Sequence, residues 1–83
     1  MPRYYFHFRE GDERTLDDIG LELAGPESAQ REAMLGLADH IRDAIPKGTF
    51  REVAMEIVDD ERNRLFIARL ILQVDMVDAG NIY

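Results

Sequence analysis

Residues 52–72 read EVAMEIVDDERNRLFIARLIL, and this stretch decides the fold. Val53, Met55 and Ile57 alternate with Glu52, Ala54 and Glu56. Period-two alternation puts the apolar set on one face of a strand. Asp60-Glu61-Arg62-Asn63 then reads as a hairpin turn, with Asn63 the residue expected to take positive φ. From Arg64 to Leu72 both registers are apolar: Phe66, Ala68, Leu70 and Leu72 on one side, Leu65, Ile67, Arg69 and Ile71 on the other. A strand apolar on both faces is expected to be central or covered twice.

Upstream, the spacing predicts one helix over about Pro26 to Ile45. Ala33, Met34, Leu37, Ala38, Ile41, Ala44 and Ile45 recur at the three-and-four spacing of a single face. Pro26 has a preset φ suited to the first turn, Glu27 complements the positive helix end, and Gly25 stands where a side-chain cap is missing. Pro46 and Gly48 end the helix. Glu27 and Arg31 stand in the favourable order for an ion pair one turn apart.

At the N-terminus, Tyr4, Phe6 and Phe8 alternate with Arg3, Tyr5, His7 and Arg9, the pattern of a half-buried strand. Glu10-Gly11-Asp12-Glu13 turns the chain, and Arg14 to Asp17 returns it. Asp17-Asp18-Ile19-Gly20 is a second turn, followed by a brief extended piece, Leu21-Glu22-Leu23. The expected architecture is α+β, β-β-α-β-β: an antiparallel sheet of three to four strands packed on one helix. Residues 1–83 form a single domain, with a core of 1–72 and a tail of 73–83 that has no clear period.

One helix covers one sheet face. Tyr5, His7, Val58, Leu65, Ile67 and Ile71 are then expected to line the other as an apolar patch, and such patches mark interfaces. Tyr5, His7, Leu65, Ile67 and Ile71 are the interface candidates. A homodimer or a protein partner is expected there or at an edge strand.

Composition excludes much chemistry. The chain has no Cys, one Ser (Ser28), two Thr (Thr15, Thr49) and two His (His7, His40). Thiol nucleophiles, disulfides and cysteine metal sites are ruled out, and hydroxyl nucleophiles are few. Ten Lys+Arg against 17 Asp+Glu give a net charge of -7, which argues against direct duplex nucleic-acid binding. Single-strand binders pair aromatics such as Tyr4, Tyr5, Phe6 and Phe8 with a positive groove; Arg3, Arg9 and Arg14 are near but face many carboxylates, so core and interface packing is the better explanation. No signal peptide or membrane span is legible, so a cytoplasmic protein is expected.

His7 on the open face, framed by Tyr5 and Arg9, is the sharpest candidate base, but packing or interface duty is the simpler reading. His40 beside Asp39 and Asp43 reads as a surface residue. The acidic groups Asp17-Asp18 with Glu22, Asp59-Asp60-Glu61, and Asp75 with Asp78 lack the alternating ligand spacing of a calcium loop. Turn chemistry accounts for them. No catalytic, cofactor-binding or metal-ligating residue is assigned and no cofactor is expected. A non-enzymatic binding role follows by default.

The opening Met-Pro-Arg-Tyr-Tyr-Phe-His resembles a small family of domains of unknown function common in alphaproteobacteria, rhizobia among them, whose members open M-P-R-Y-[YF]-F-H. The family's D-x-x-G-x-E-L stands here as Asp17-Asp18-Ile19-Gly20-Leu21-Glu22-Leu23, and its E-x-A-x-x-E-A helix start as Glu27 to Ala33. Its D-E-x-G-R turn stands as Asp60 to Arg64, with Asn63 in place of Gly. The resemblance covers residues 1 to about 72 and implies a stand-alone cytoplasmic bacterial domain. Topology and helix start are also similar to HicB-type antitoxins, which implies, as the alternative, a regulator binding a basic protein partner.

Overall fold

The computed structural model describes residues 1–44, 50–75 and 77. Five strands and one helix follow one another as β1 (Arg3–Glu10), β2 (Glu13–Thr15), β3 (Leu21–Glu22), α1 (Pro26–Ala44), β4 (Phe50–Asp59) and β5 (Arg64–Gln73). The fold is α+β, and the sheet is antiparallel throughout. Its order is β2-β1-β4-β5, with β3 also paired to β1. The brief extended piece at Leu21 is thus a strand in its own right, the fifth of the sheet.

Register assigns the faces, because directly opposed residues lie on the same side. Phe6 faces Ile57 and Phe8 faces Met55 across β1–β4; Ile57 faces Phe66 and Met55 faces Ala68 across β4–β5. This is the helix side. Tyr4, Ala29, Ala33 and Ile57 form its buried centre, with Phe6, Leu23, Met55, Phe66 and Ala68 packed around them. The alternation in β1 and β4 therefore reads as the sequence implies.

The helix stripe is rotated relative to expectation. Ala29, Ala33 and Leu37 are buried, while Met34 is 55% exposed and Ala38 is also exposed. The helix approaches the sheet over small residues. A Cβ on Gly36 would stand 3.4 Å from the Met55 methyl. Gly25 accepts the first helical hydrogen bond, from Ala29 N–H at 3.1 Å, consistent with its place at the cap. Arg42 and Asp39, 3.4 Å apart, form the ion pair seen along the described helix, rather than the expected Glu27 and Arg31. Ile45, Pro46 and Gly48, on which the expected helix end rests, lie outside the described residues.

Two further expectations are corrected. Strand β5, apolar on both faces, lies at the edge of the sheet and not at its centre: among the described residues it pairs with β4 alone. In the β4–β5 turn, positive φ falls on Arg62 (φ 66°) and not on Asn63. The reason is the Asp59 carboxylate, which accepts from Glu61 and Asn63 N–H (both 2.9 Å) and from Asn63 Nδ2 (3.2 Å). Asn63 is held by those bonds, and the strained dihedral passes to its neighbour. The bonds from Asn63 hold the Asp59 carboxyl below its ordinary value. Arg62→Gly should stabilise the fold by about 0.5–1 kcal/mol, because glycine takes positive φ without a Cβ penalty. Urea denaturation checks this, an unchanged midpoint being the contrary result.

No described helix is long and apolar enough to cross a membrane.

Candidate functional site

The sheet face away from α1 is built by the other parity of the same strands. Reading across it, Tyr5 faces Val58; His7 faces Glu56, which faces Ile67; Arg9 faces both Arg14 and Ala54, and Ala54 faces Arg69; Glu52 faces Ile71. The candidates Tyr5, His7, Ile67 and Ile71 do share this face. Leu65 sits in the register shift opposite Ile57/Val58 and has no direct partner.

The face is not the apolar patch that the sequence suggests. Ile67 is 39% and Ile71 55% exposed, but Glu52, Glu56, Arg9, Arg14 and Arg69 stand between the apolar side chains. Val58 is buried at 7%. Pairing puts β4 glutamates and the flanking arginines on the same parity as the apolar residues. That juxtaposition depends on strand order, which no single-strand pattern contains. Glu56 takes Arg64 at 2.5 Å and lies 3.8 Å from Arg14.

His7 and Asp17 are brought together, but for architecture. Strand β1 pairs with β3 at Arg3–Tyr4 and with β2 at Phe8–Glu10, which leaves a gap along its outer edge. The Asp17 carboxylate fills that gap: Oδ2 accepts from Phe6 N–H at 3.1 Å, and Oδ1 from Ile19 and Gly20 N–H, each at 3.0 Å. Asp17 N–H in turn donates to His7 Nδ1 at 3.1 Å. The imidazole accepts at Nδ1, so in its neutral form the hydrogen sits on Nε2. Burial opposes ionisation of Asp17, but the bonds from Gly20, Phe6 and Ile19 outweigh it and hold the carboxyl below its ordinary value.

At the same end, Tyr5 OH donates to Asp60 Oδ1 at 3.2 Å. Desolvation, then this hydrogen bond, raises the phenol above its ordinary value. Arg3 reaches both Ile19 O (2.9 Å) and Glu22 (3.0 Å), pinning the loop to β1.

His40 is not the free surface residue expected. It lies between α1 and β1, its Nε2 3.1 Å from Glu10 Oε1 and its ring centroid 4.3 Å from that of Phe8. Glu10 also pairs with Arg51, so one carboxylate ties the helix to β1 and β4. Among the described residues no group of three or more His, Asp or Glu side chains converges as a metal site would require.

A one-helix α+β sheet, its β1 edge closed by an Asp-x-x-Gly loop, is the class of domain these features define. Residues 3–71 match the family described as a domain of unknown function, DUF6894. The chain belongs to that family. No curated protein and no solved structure matches it.

What sequence reading misses on the open face is that its arginines stand in one row. Arg9 and Arg69 have the right parity in their own strands. Only the pairing of Arg9 with Arg14, and of Ala54 with both Arg9 and Arg69, reveals a row.

Proposed function

We propose that this domain works by binding and not by chemistry, and that it self-associates through the free edge of β5. The observation that carries this reading is the contrast between the two sheet edges. The β1 side ends in strands of three and two residues with the Asp17 carboxylate between them. The β5 side presents ten residues with no strand beyond them among those described. Leu65, Ile67, Ile71 and Leu72 are 36–55% exposed there. A long apolar edge without Pro or Lys is a template for another strand. On the open face, His7 Nδ1 accepts from the Asp17 backbone N–H and the Asp17 carboxylate accepts from backbone amides, while the His40–Glu10 pair is tied to Arg51 between helix and sheet; these engagements favour binding over catalysis.

Symmetry narrows the pairing. In a two-fold antiparallel pair each residue meets one of the same face parity, or apolar and polar faces are exchanged. Setting Arg69 of the two copies opposite each other juxtaposes like charges, which is unfavourable. The register with comparable overlap and no such clash puts Ala68 of the two copies opposite each other. Arg69 then meets Ile67, and Phe66 meets Leu70.

Sedimentation of Ile67→Lys and Ile67→Glu tests this. Within one copy Ile67 faces Glu56, so Lys is the better-tolerated replacement for the monomer fold. Across the axis it meets Arg69, so Lys should weaken the dimer at least about fivefold relative to Glu. The opposed signs separate association from folding. A wild-type chain that is monomeric at all concentrations overturns the reading. A monomer that instead captures a basic protein supports the antitoxin-like alternative.

A further inference from the structure

The open sheet face carries a transverse row of four residues from four strands: Arg14 on β2, Arg9 on β1, Ala54 on β4 and Arg69 on β5. Three of the four are cations, in a chain with seven more acids than bases. Arg9 and Arg14 are directly opposed, an arrangement that costs stability. Local neutralisation is incomplete. Arg14 lies 3.8 Å from Glu56 and Arg69 lies 4.0 Å from Glu52, both at the limit of an ion pair. Glu56 is engaged more closely by Arg64, and Arg9 enters no ion pair among the described residues.

Ala54 gives the row its shape. Neighbouring strands are about 4.8 Å apart, so a methyl side chain between Arg9 and Arg69 leaves a gap of roughly 10 Å between their stems. The resulting concavity holds about 370 Å³ and is lined by Arg9, Arg14, Ala54, Arg64 and Arg69, with His7 and the Glu56 carboxylate, which Arg64 neutralises, also on its wall. That volume is in the range of small-ligand sites. His7 lines it with the Nδ1 side already taken by Asp17 N–H, which leaves Nε2–H as a further donor. Guanidinium groups offer paired N–H donors that match phosphoryl oxygens.

We propose that the Arg14–Arg9–Ala54–Arg69 row is a binding site for a phosphoryl oxyanion of a small soluble molecule, pyrophosphate or an organic phosphate. The arginines grip its oxygens and Ala54 provides the space for it. The row shares Arg69 with the β5 edge, whereas Arg9 and Arg14 lie on β1 and β2 away from it, so Arg9→Gln tests the site separately from self-association.

Isothermal titration with pyrophosphate, at low and at high salt, tests the proposal. Binding that weakens with salt is expected. Arg9→Gln and Arg69→Gln should each weaken it about tenfold or more, since each removes charge-assisted hydrogen bonds. Ala54→Leu should do the same by filling the gap, and Arg42→Gln, on the helix, should leave affinity unchanged. Arg9→Gln also removes a like-charge contact, so its melting temperature should not fall. Loss of binding is then not loss of fold. Absence of any pyrophosphate binding overturns the proposal. So does equal loss in Arg9→Gln and Arg42→Gln, or binding to phosphoinositide vesicles or to single-stranded nucleic acid without binding to pyrophosphate.

Discussion

Replacing Asp17 by Ala is expected to cost about 3 kcal/mol, a large part of the stability of a chain this size. A domain of 83 residues has a total of roughly 4–12 kcal/mol to lose. The carboxylate accepts from the backbone N–H groups of Phe6, Ile19 and Gly20. Hydrogen bonds to a charged group contribute about 1.5–3 kcal/mol each when shielded. Here one of the three bonds is exposed and the other two are part-buried, which brings the sum down. The Phe6 amide has no alternative acceptor in a paired strand at that point of β1. Asp18, next in sequence and exposed, is the control, and its replacement by Ala should stay within about 0.5 kcal/mol.

The same residue sets an acid dependence. Asp17 is depressed in the folded state, so its contribution is fully present above the ordinary value of 3.8 and is lost as pH falls through the folded value. The stability gap between wild type and Asp17→Ala should be constant near neutrality and shrink progressively from about pH 5 downward, as pH falls through 3.8 and then the folded value. Urea titrations at a series of pH values measure it. A gap that already narrows between pH 7 and 5 would mean that the loop is held by something else.

The second large effect is at Gly20. Its φ is +75°, and a Cβ built there would stand 2.8 Å from the carbonyl oxygen of Tyr4 and 3.0 Å from the Tyr5 ring. The backbone oxygen cannot move aside without disturbing the β1–β3 pairing, where Tyr4 opposes Leu21. Gly20→Ala should therefore cost about 3 kcal/mol: roughly 1–2 from the left-handed conformation and the rest from the clash. Gly11 separates the two causes. Its φ is +59° but nothing lies within 4 Å of a Cβ there. Gly11→Ala should cost about 1 kcal/mol, the conformational part alone. Equal effects at the two glycines would show that the close approach to Tyr4 is not what fixes Gly20.

These two residues also show how far the sequence is legible. Asp17 and Gly20 read correctly as a turn, because Asp accepts from amides two and three residues ahead and glycine takes positive φ. What spacing does not contain is the long-range half of the arrangement: the bond from Phe6 and the bond to His7. The helix-facing parity of β1 and β4 was legible for the same local reason, a two-residue period. Failures cluster where neighbours decide. An apolar β5 reads as central, yet it stands at an edge; nothing in one strand's composition says how many partners it has. Asn63 reads as the strained turn residue, yet the Asp59 carboxylate holds it and passes the strain to Arg62. The open face reads as apolar because Tyr5, Ile67 and Ile71 are conspicuous within their strands. Arg9, Arg14 and Arg69 become a row only once register is known.

Asp17 closes the outer edge of β1, and the proposed second copy completes the edge of β5 that stands open among the described residues. Residue-resolved amide hydrogen exchange, measured at high and low protein concentration, tests this most directly. Phe6 N–H should be protected at both concentrations, by Asp17. Alternate amides of β5, those that point away from β4, should be protected at high concentration and exchange freely on dilution. Outward β5 amides that exchange equally fast at both concentrations would contradict the account.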